Sequence, residues 1–286
     1  MSIIFMGTPE WAIPSLKAVI ESGIEVRAVF TQPDRRVKRK RELAPSPVKQ
    51  FGLEQNLAVY SPENAGSEDT MNLVSSMSPE MILVCAYGQI LTQQFLDIPH
   101  IGCFNLHFSF LPCLRGASPV QAAILSGLKS TGVSLQKIVL RLDSGPLAVC
   151  SEEIEILHDD TNLTLGSRLS EVSGNLIRQN LKNILEGNFT LTEQSETKAT
   201  FCSIIKKKDG HVNWEKETAQ EIERKIRAFT PWPGIFSFYK NKTKSDFRQR
   251  LRFTKAEIVK GDFDSGKIYP DMIIGAHTDA LKIISL

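Results

Sequence analysis

The chain of 286 residues has no run of eighteen apolar residues, so it contains no candidate membrane-spanning helix. Its five cysteines, Cys85, Cys103, Cys113, Cys150 and Cys202, include no C-x-x-C pair. An odd and dispersed set argues against a disulfide framework or a zinc ribbon and suits a reducing compartment, read as the cytoplasm. The histidines show no metal-like spacing, so no metal is expected. The N-terminus, Met1-Ser2-Ile3-Ile4-Phe5-Met6-Gly7, lacks the basic region of a signal peptide and reads as a buried strand. No G-x-G-x-x-G follows it. Gly7-Thr8-Pro9 stands in that place, which disfavours a dinucleotide. There is no internal repeat and no low-complexity tract.

What is present is the balance of a globular protein, with 42% apolar and 23% charged residues. At roughly 150 residues per domain, the length predicts two domains. Ser2–Met6 and the β-rich Glu25–Thr31 flank a segment with Trp11, Ile13, Leu16, Val19 and Ile20 at helical spacing. Thr8 is the expected N-cap and Pro9 a first-turn residue. Strand, helix and strand in thirty residues predict a βαβ unit. Further strands are expected at Glu80–Ala86, Gly102–His107 and Thr131–Leu140, and helices at Pro119–Leu125 and Thr161–Glu186. Residues 1–189 are therefore read as an open, mostly parallel, Rossmann-like α/β sheet. The polar stretch 190–203 reads as a linker. In residues 204–286 one short helix, with Ile222, Ile226 and Phe229 on one face, stops at Thr230-Pro231-Trp232-Pro233-Gly234. Short apolar runs follow it, at Ile235–Tyr239, Leu251–Ile258, Ile268–Ile274 and Ala280–Leu286, and predict a small OB-like β-barrel.

The net charge of +2 conceals an asymmetry. Residues 1–199 hold 17 basic and 21 acidic residues, and residues 200–286 hold 17 and 11. Within the acidic part, Arg35-Arg36-Val37-Lys38-Arg39-Lys40-Arg41 carries six positive charges in seven residues. An acidic body with one basic loop and a basic second domain has the footprint expected for a polyanion partner. A solvated loop or a nuclear-import signal would fit the heptad equally well.

Open α/β sheets bind ligands beyond the carboxyl ends of their strands. One such end is Asn105-Leu106-His107-Phe108-Ser109-Phe110-Leu111-Pro112. Residues i and i+2 of a strand share a face, so Asn105 and His107 project together. An amide can hydrogen-bond a developing oxyanion and an imidazole can move a proton near neutral pH, a usable pair for acyl transfer. A lone Asn/His pair at a strand end is nonetheless structural more often than not. A second end is Asp143-Ser144-Gly145. If its strand neighbours the first, Asp143 could face His107 and fix the tautomer of the ring. The competing reading is a plain D-x-G turn. His100, His158, His211 and His277 read as surface residues.

Taken together, Asn105-x-His107-x-Ser109-x-Leu111-Pro112, Arg115-Gly116 and Asp143-x-Gly145 resemble the signature of the folate-dependent formyltransferases. Phe5-x-Gly7-Thr8-Pro9, Thr31-Gln32-Pro33-Asp34-Arg35, Pro45-Ser46-Pro47-Val48-Lys49, Ala86-Tyr87-Gly88 and Arg227-Ala228-Phe229-x-Pro231-Trp232-Pro233 narrow the resemblance to the two-domain members that act on methionyl-tRNA. The resemblance runs nearly end to end. It implies transfer of a formyl group from 10-formyltetrahydrofolate to the α-amino group of methionyl initiator tRNA by a monomeric protein. Asn105, His107 and Asp143 would be catalytic. Cys85, Ala86, Tyr87, Gly88, Ile90, Leu91, Ser109, Leu111 and Pro112 would line the folate site. Arg35, Arg36, Lys38, Arg39, Lys40, Arg41, Lys206, Lys207 and Lys208 would meet the tRNA. Phe108 and Phe110 depart from the usual small residue and Leu, and their bulk bears on the shape of the folate pocket. The chain ends at Leu286, just after the last expected strand, where relatives continue. A nucleotide-sugar N-formyltransferase shares the trio and the donor but has no use for the basic heptad or the basic second domain. A formate-releasing hydrolase would share the same active-site residues, and a non-catalytic RNA-binding protein would not need the trio.

Overall fold

The computed structural model describes residues 1–37, 42–240 and 248–285, and Lys38, Arg39, Lys40 and Arg41 of the basic heptad lie outside them. The chain divides into two compact units. The first comprises residues 1–115, 132–154 and 166–201, and the second comprises residues 116–131, 155–165 and 202–286. The stretch expected as a linker from residue 190 thus packs with the first unit as far as Phe201. No helix among the described residues is long and apolar enough to cross a membrane.

The first unit is built on one seven-stranded sheet. Its order is Leu147–Cys150, Ser134–Lys137, Gly102–His107, Met81–Cys85, Ser2–Gly7, Glu25–Phe30 and Val59–Tyr60. The last five strands of that order are mutually parallel, Ser134–Lys137 runs antiparallel to them, and the edge strand Leu147–Cys150 is antiparallel to Ser134–Lys137 in turn. Ser2–Gly7 and Met81–Cys85 are buried along their whole length, as strands covered on both faces must be.

The first crossover differs from its expected form. Pro9 is the N-cap of a single 3-10 turn, Glu10–Ala12, and the α-helix begins at Ile13 and runs to Glu21. Thr8 caps nothing. Its hydroxyl donates to the Tyr87 carbonyl at 2.8 Å and accepts from the Gln32 backbone N–H at 3.3 Å, tying three strand ends together. The long helix Asn162–Leu185 packs against the first helix through small residues. A Cβ on Gly166 would fall 2.1 Å from the Trp11 ring, so only glycine permits this approach. Ser170 donates to the Trp11 carbonyl and Ser173 meets the Ser15 hydroxyl, both at 2.7 Å.

The first three residues of the basic heptad, Arg35–Val37, pair antiparallel with Glu42–Ala44, which follows the heptad. In the second unit, helix Ala219–Ala228 carries a reciprocal Thr218–Glu221 cap and packs on helix Pro119–Leu125. After helix Ala219–Ala228 the described strands form two antiparallel sheets, Ile235–Lys240 with Arg248–Phe253, and a four-stranded one containing Lys255–Val259 and Ala280–Ser285. This is the antiparallel C-terminal domain expected from the short apolar runs.

Phe104, fully buried, meets Phe189 edge-on at 5.9 Å and so locks the end of the long helix's following turn to the strand that carries Asn105 and His107. Phe104→Ala is expected to cost about 3–5 kcal/mol in urea unfolding of the first unit. A loss below about 1 kcal/mol would show that this contact does not hold the strand.

Candidate active site

The antiparallel pairing at the sheet edge sets the site. Ser134 lies opposite His107 and Gln136 opposite Asn105, so four polar side chains share one face beside the strand's carboxyl end. His107 is 5% exposed, and its Nε2 lies 2.9 Å from the Leu114 carbonyl oxygen. A carbonyl can only accept, so the ring donates from Nε2 and presents Nδ1 as its unprotonated nitrogen. Asp143 Oδ2 stands 3.7 Å from that Nδ1. Asp143 itself has a left-handed backbone (φ 48°), as a tight turn requires, and its Oδ1 accepts from Gln136 Nε2 at 2.7 Å. Gly145 fits where it does because a Cβ there would stand 1.7 Å from the Lys137 carbonyl oxygen. The D-x-G turn and the carboxylate are therefore two aspects of one structure. Asn105 is half-buried on the same strand face.

Ser134 fixes the neighbouring loop. Its hydroxyl donates to the Ser109 carbonyl at 2.7 Å and accepts from the Leu111 N–H at 3.0 Å, while the Ser109 hydroxyl donates to the Cys113 carbonyl. Two strands away, Ala86 and Gly88 turn through positive φ (49° and 89°). Gln89 pins that turn by accepting from the Ala65 N–H and donating to the Pro62 carbonyl. Both loops flanking the site leave apolar side chains uncovered, with Ile90 90% exposed on one and Leu140 and Leu142 exposed on the other. A flat, largely apolar ligand fits such surfaces. A separate cavity of about 390 Å³ opens between the strand ends and the base of the basic loop, lined by Thr8, Gln32, Arg35, Ser46, Tyr87 and Gly88 among others. Among the described residues, Gln32 Nε2 is buried there without a hydrogen-bond partner, and no group of acidic, histidine or cysteine residues could hold a metal ion.

Comparison with known proteins supplies the context. Residues 1–181 match the family described as formyl transferase, and residues 204–285 match the formyl transferase C-terminal domain. The chain belongs to the formyltransferase family. Among curated relatives, the methionyl-tRNA formyltransferase of Marinobacter nauticus is 38% identical over 99% of this chain and 87% of its own. That of Caldanaerobacter subterraneus is 36% identical over 100% and 92%. One from Dehalococcoides mccartyi is 41% identical over 100% and 90%. Among solved structures, an N-formyltransferase from Helicobacter canadensis, in complex with folinic acid and dTDP-3-aminofucose, superposes with a TM-score of 0.72 at 17% identity, covering 98% of each chain. That likeness is one of fold.

Within this formyltransferase the residues singled out from sequence separate into distinct groups. Asn105, His107 and Asp143 come together at one strand end. Ser109 and Leu111 are buried in the loop that Ser134 holds, with Pro112 half-buried beside them. Of the segment 85–91, Ala86, Gly88 and Ile90 are exposed, whereas Cys85, Tyr87 and Leu91 turn inward, Tyr87 and Leu91 into the central core cluster. Cys85 is fully buried and offers a ligand no side chain. Phe108 also turns inward, its ring 6.2 Å from that of Trp11, and the Phe110 ring covers Gly132. Arg35 is exposed and donates to Gln32 Oε1. Lys206, Lys207 and Lys208 are exposed in the second unit, around a 3-10 turn. Arg227, in the motif preceding Pro231-Trp232-Pro233, is structural: it grips Glu223 through two nitrogens and donates to the Asp160 carbonyl.

Ser134, Gln136 and Leu114 escaped the sequence reading. The first two left a signal, because polar residues at i and i+2 within a buried strand mirror Asn105 and His107. Leu114 left none, since it acts through its carbonyl.

Burial pushes the thiols of Cys85 and Cys103 up to about 12, so both are neutral across the working pH range, and a neutral thiol is a poor nucleophile. Cys113 and Cys150 are exposed. Thiol titration of the native protein at pH 8 with a disulfide reagent is expected to modify Cys113 and Cys150 rapidly and to reach Cys85 and Cys103 only on unfolding. Fast native modification of Cys85 would overturn its placement in the core.

Proposed function

We propose that this formyltransferase transfers the formyl group of 10-formyltetrahydrofolate to the α-amino group of methionyl initiator tRNA. One observation carries the reading: curated methionyl-tRNA formyltransferases align with 99–100% of the chain, through both domains, at 36–41% identity. The setting is the cytoplasm, where translation is initiated, and the working unit is a monomer.

In the reaction the neutral amine attacks the formyl carbon. A new N–C bond forms as the carbonyl π-electrons move to oxygen, and the Asn105 amide donates a hydrogen bond to that oxyanion. His107 Nδ1 takes the amine proton, because Nε2 is committed to the Leu114 carbonyl. The Asp143 carboxylate, 3.7 Å away, stabilises the imidazolium that results. Collapse of the oxyanion breaks the bond to the donor nitrogen, which leaves with the proton that His107 returns. The uncovered Ile90, Leu140 and Leu142 are suited to cover the folate ring system. The cavity at the base of the basic loop is suited to the aminoacyl end, with Arg35, Arg36, Lys38, Arg39, Lys40 and Arg41 on the acceptor arm and Lys206, Lys207 and Lys208 on more distant phosphates.

Asn105→Ala and His107→Ala are each expected to lower kcat for formyl transfer to methionyl initiator tRNA by about 10²–10⁴-fold. The KM for tRNA should stay within about twofold. Affinity for tRNA should fall with salt, its logarithm dropping by roughly 0.7–0.9 per phosphate contact against log salt concentration. Transfer to a dTDP-amino sugar with none to the tRNA would overturn the choice of acceptor. Near-normal turnover in either variant would overturn the role of that residue.

A further inference from the structure

The polar stretch after the long helix does more than connect. Thr192 pairs with Leu147 through two backbone hydrogen bonds of 2.8 and 2.9 Å, laying the segment against the loop that bears Asp143. From there Gln194 Nε2 donates to the Gly145 carbonyl at 2.6 Å and to the Asp143 carbonyl at 3.0 Å, spanning both sides of the turn. It also lies 3.4 Å from Gln136 Oε1, the amide whose nitrogen holds the Asp143 carboxylate. The Gln194 amide is itself oriented, because its Oε1 accepts from Arg115 Nε at 3.0 Å. Arg115, 1% exposed, ends on Glu196 at 2.9 Å, and Glu196 also binds Arg141 at the start of the Asp143 turn. The hydrogen bond from Arg115 holds the Glu196 carboxyl below its ordinary pKa, so it stays ionised in this bridge.

We propose that Gln194 is a positioning residue for the reaction, clamping the main chain on both sides of Asp143 so that its carboxylate stays in register with His107 Nδ1. This rests on the reading of His107 and Asp143 as the proton-transfer pair. The turn needs such a clamp. Its φ of 48° at Asp143 is a conformation that side-chain-bearing residues rarely hold unaided, and its two carbonyls point at the amide rather than into a strand ladder. Gln194 meets the main chain on both sides of Asp143 and the Gln136 amide that holds the same carboxylate, so both of its routes to the reaction pass through Asp143.

The test is a mutant cycle on the full chain, assayed for formyl transfer to methionyl initiator tRNA, with thermal unfolding as the check on folding. Gln194→Ala is expected to lower kcat by about 10–100-fold, the range typical of outer-shell partners. The KM for folate donor and for tRNA should stay within about twofold. Gln194→Glu keeps the volume and the contact with Arg115 but removes the N–H donors, and is expected to lose as much, so the test survives if the alanine variant folds poorly. In an Asp143→Asn background either change should cost less than about twofold more. Equal losses with and without the Asp143 carboxylate, or unchanged kcat in Gln194→Glu, would overturn the proposal. Retained transfer in His107→Ala would overturn the proton-transfer reading instead, so the two failures are distinguishable.

Discussion

The antiparallel pairing of Ser134–Lys137 with Gly102–His107 is the constraint on which the site hangs. A parallel sheet brings ligands to one end, but its neighbouring strands also end together, leaving little to wall a pocket. Ser134–Lys137, flanked by Leu147–Cys150 at the sheet edge, runs the other way, starting opposite His107 and leading away from that end. Its side chains then stand directly opposite those of the site strand: Ser134 against His107, Gln136 against Asn105. The loop that follows falls beside the imidazole. A slip of Ser134–Lys137 by one residue would turn Ser134 and Gln136 to the other face, away from His107 and Asn105, so the register and the chemistry are one property.

That geometry also answers an energetic problem. A carboxylate with only a tenth of its side chain exposed needs compensation for lost water. Gln136 supplies a direct donor, and a protonated His107 would supply a charge. The imidazole in turn is held by its far nitrogen on a main-chain carbonyl, which sets the tautomer without consuming the carboxylate. His107, Asp143 and Ser134 are thus each oriented by a partner that does not itself react. A site composed this way reorganises little as charge develops, and low reorganisation is what makes fixed dipoles effective in a buried place.

Much of this was legible in the residues. The strand Gly102–His107 and the helix Pro119–Leu125 have the bounds that their periodicity and flanking prolines indicated. Asn105 and His107 share a face because strand geometry obliges them to. The proximity of Asp143 could be posed only as a condition, since adjacency of two strands is a tertiary fact. Other features were hidden for physical reasons. Thr8 has the chemistry of an N-cap, yet its hydroxyl is better used between the Tyr87 carbonyl and the Gln32 N–H, and a proline takes the cap. Cys85 and Ile90 sit in the same short segment, but Cys85 ends a strand buried on both faces, whereas Ile90 lies beyond the positive-φ turn at Ala86 and Gly88 and stands in solvent. Leu114 contributes an atom that every residue possesses, so no side-chain pattern could mark it.

The stretch 190–203 shows why composition misleads at such places. Polar residues without periodicity read as a solvated connection, because a solvated chain has no core to face. The surface this segment meets is itself main chain. The turn at Asp143 folds back too tightly to place its carbonyls in the sheet, and carbonyls withdrawn from water need donors from elsewhere. Apolar residues could cover that turn but could not satisfy it. Gln194, with two N–H donors to give and one acceptor to receive Arg115, matches the requirement, and Glu196 does the same for the guanidinium behind it. A polar segment is therefore the kind of sequence that a packed role at this position demands. The same residues that suggest a tether are those able to close the wall of a polar site.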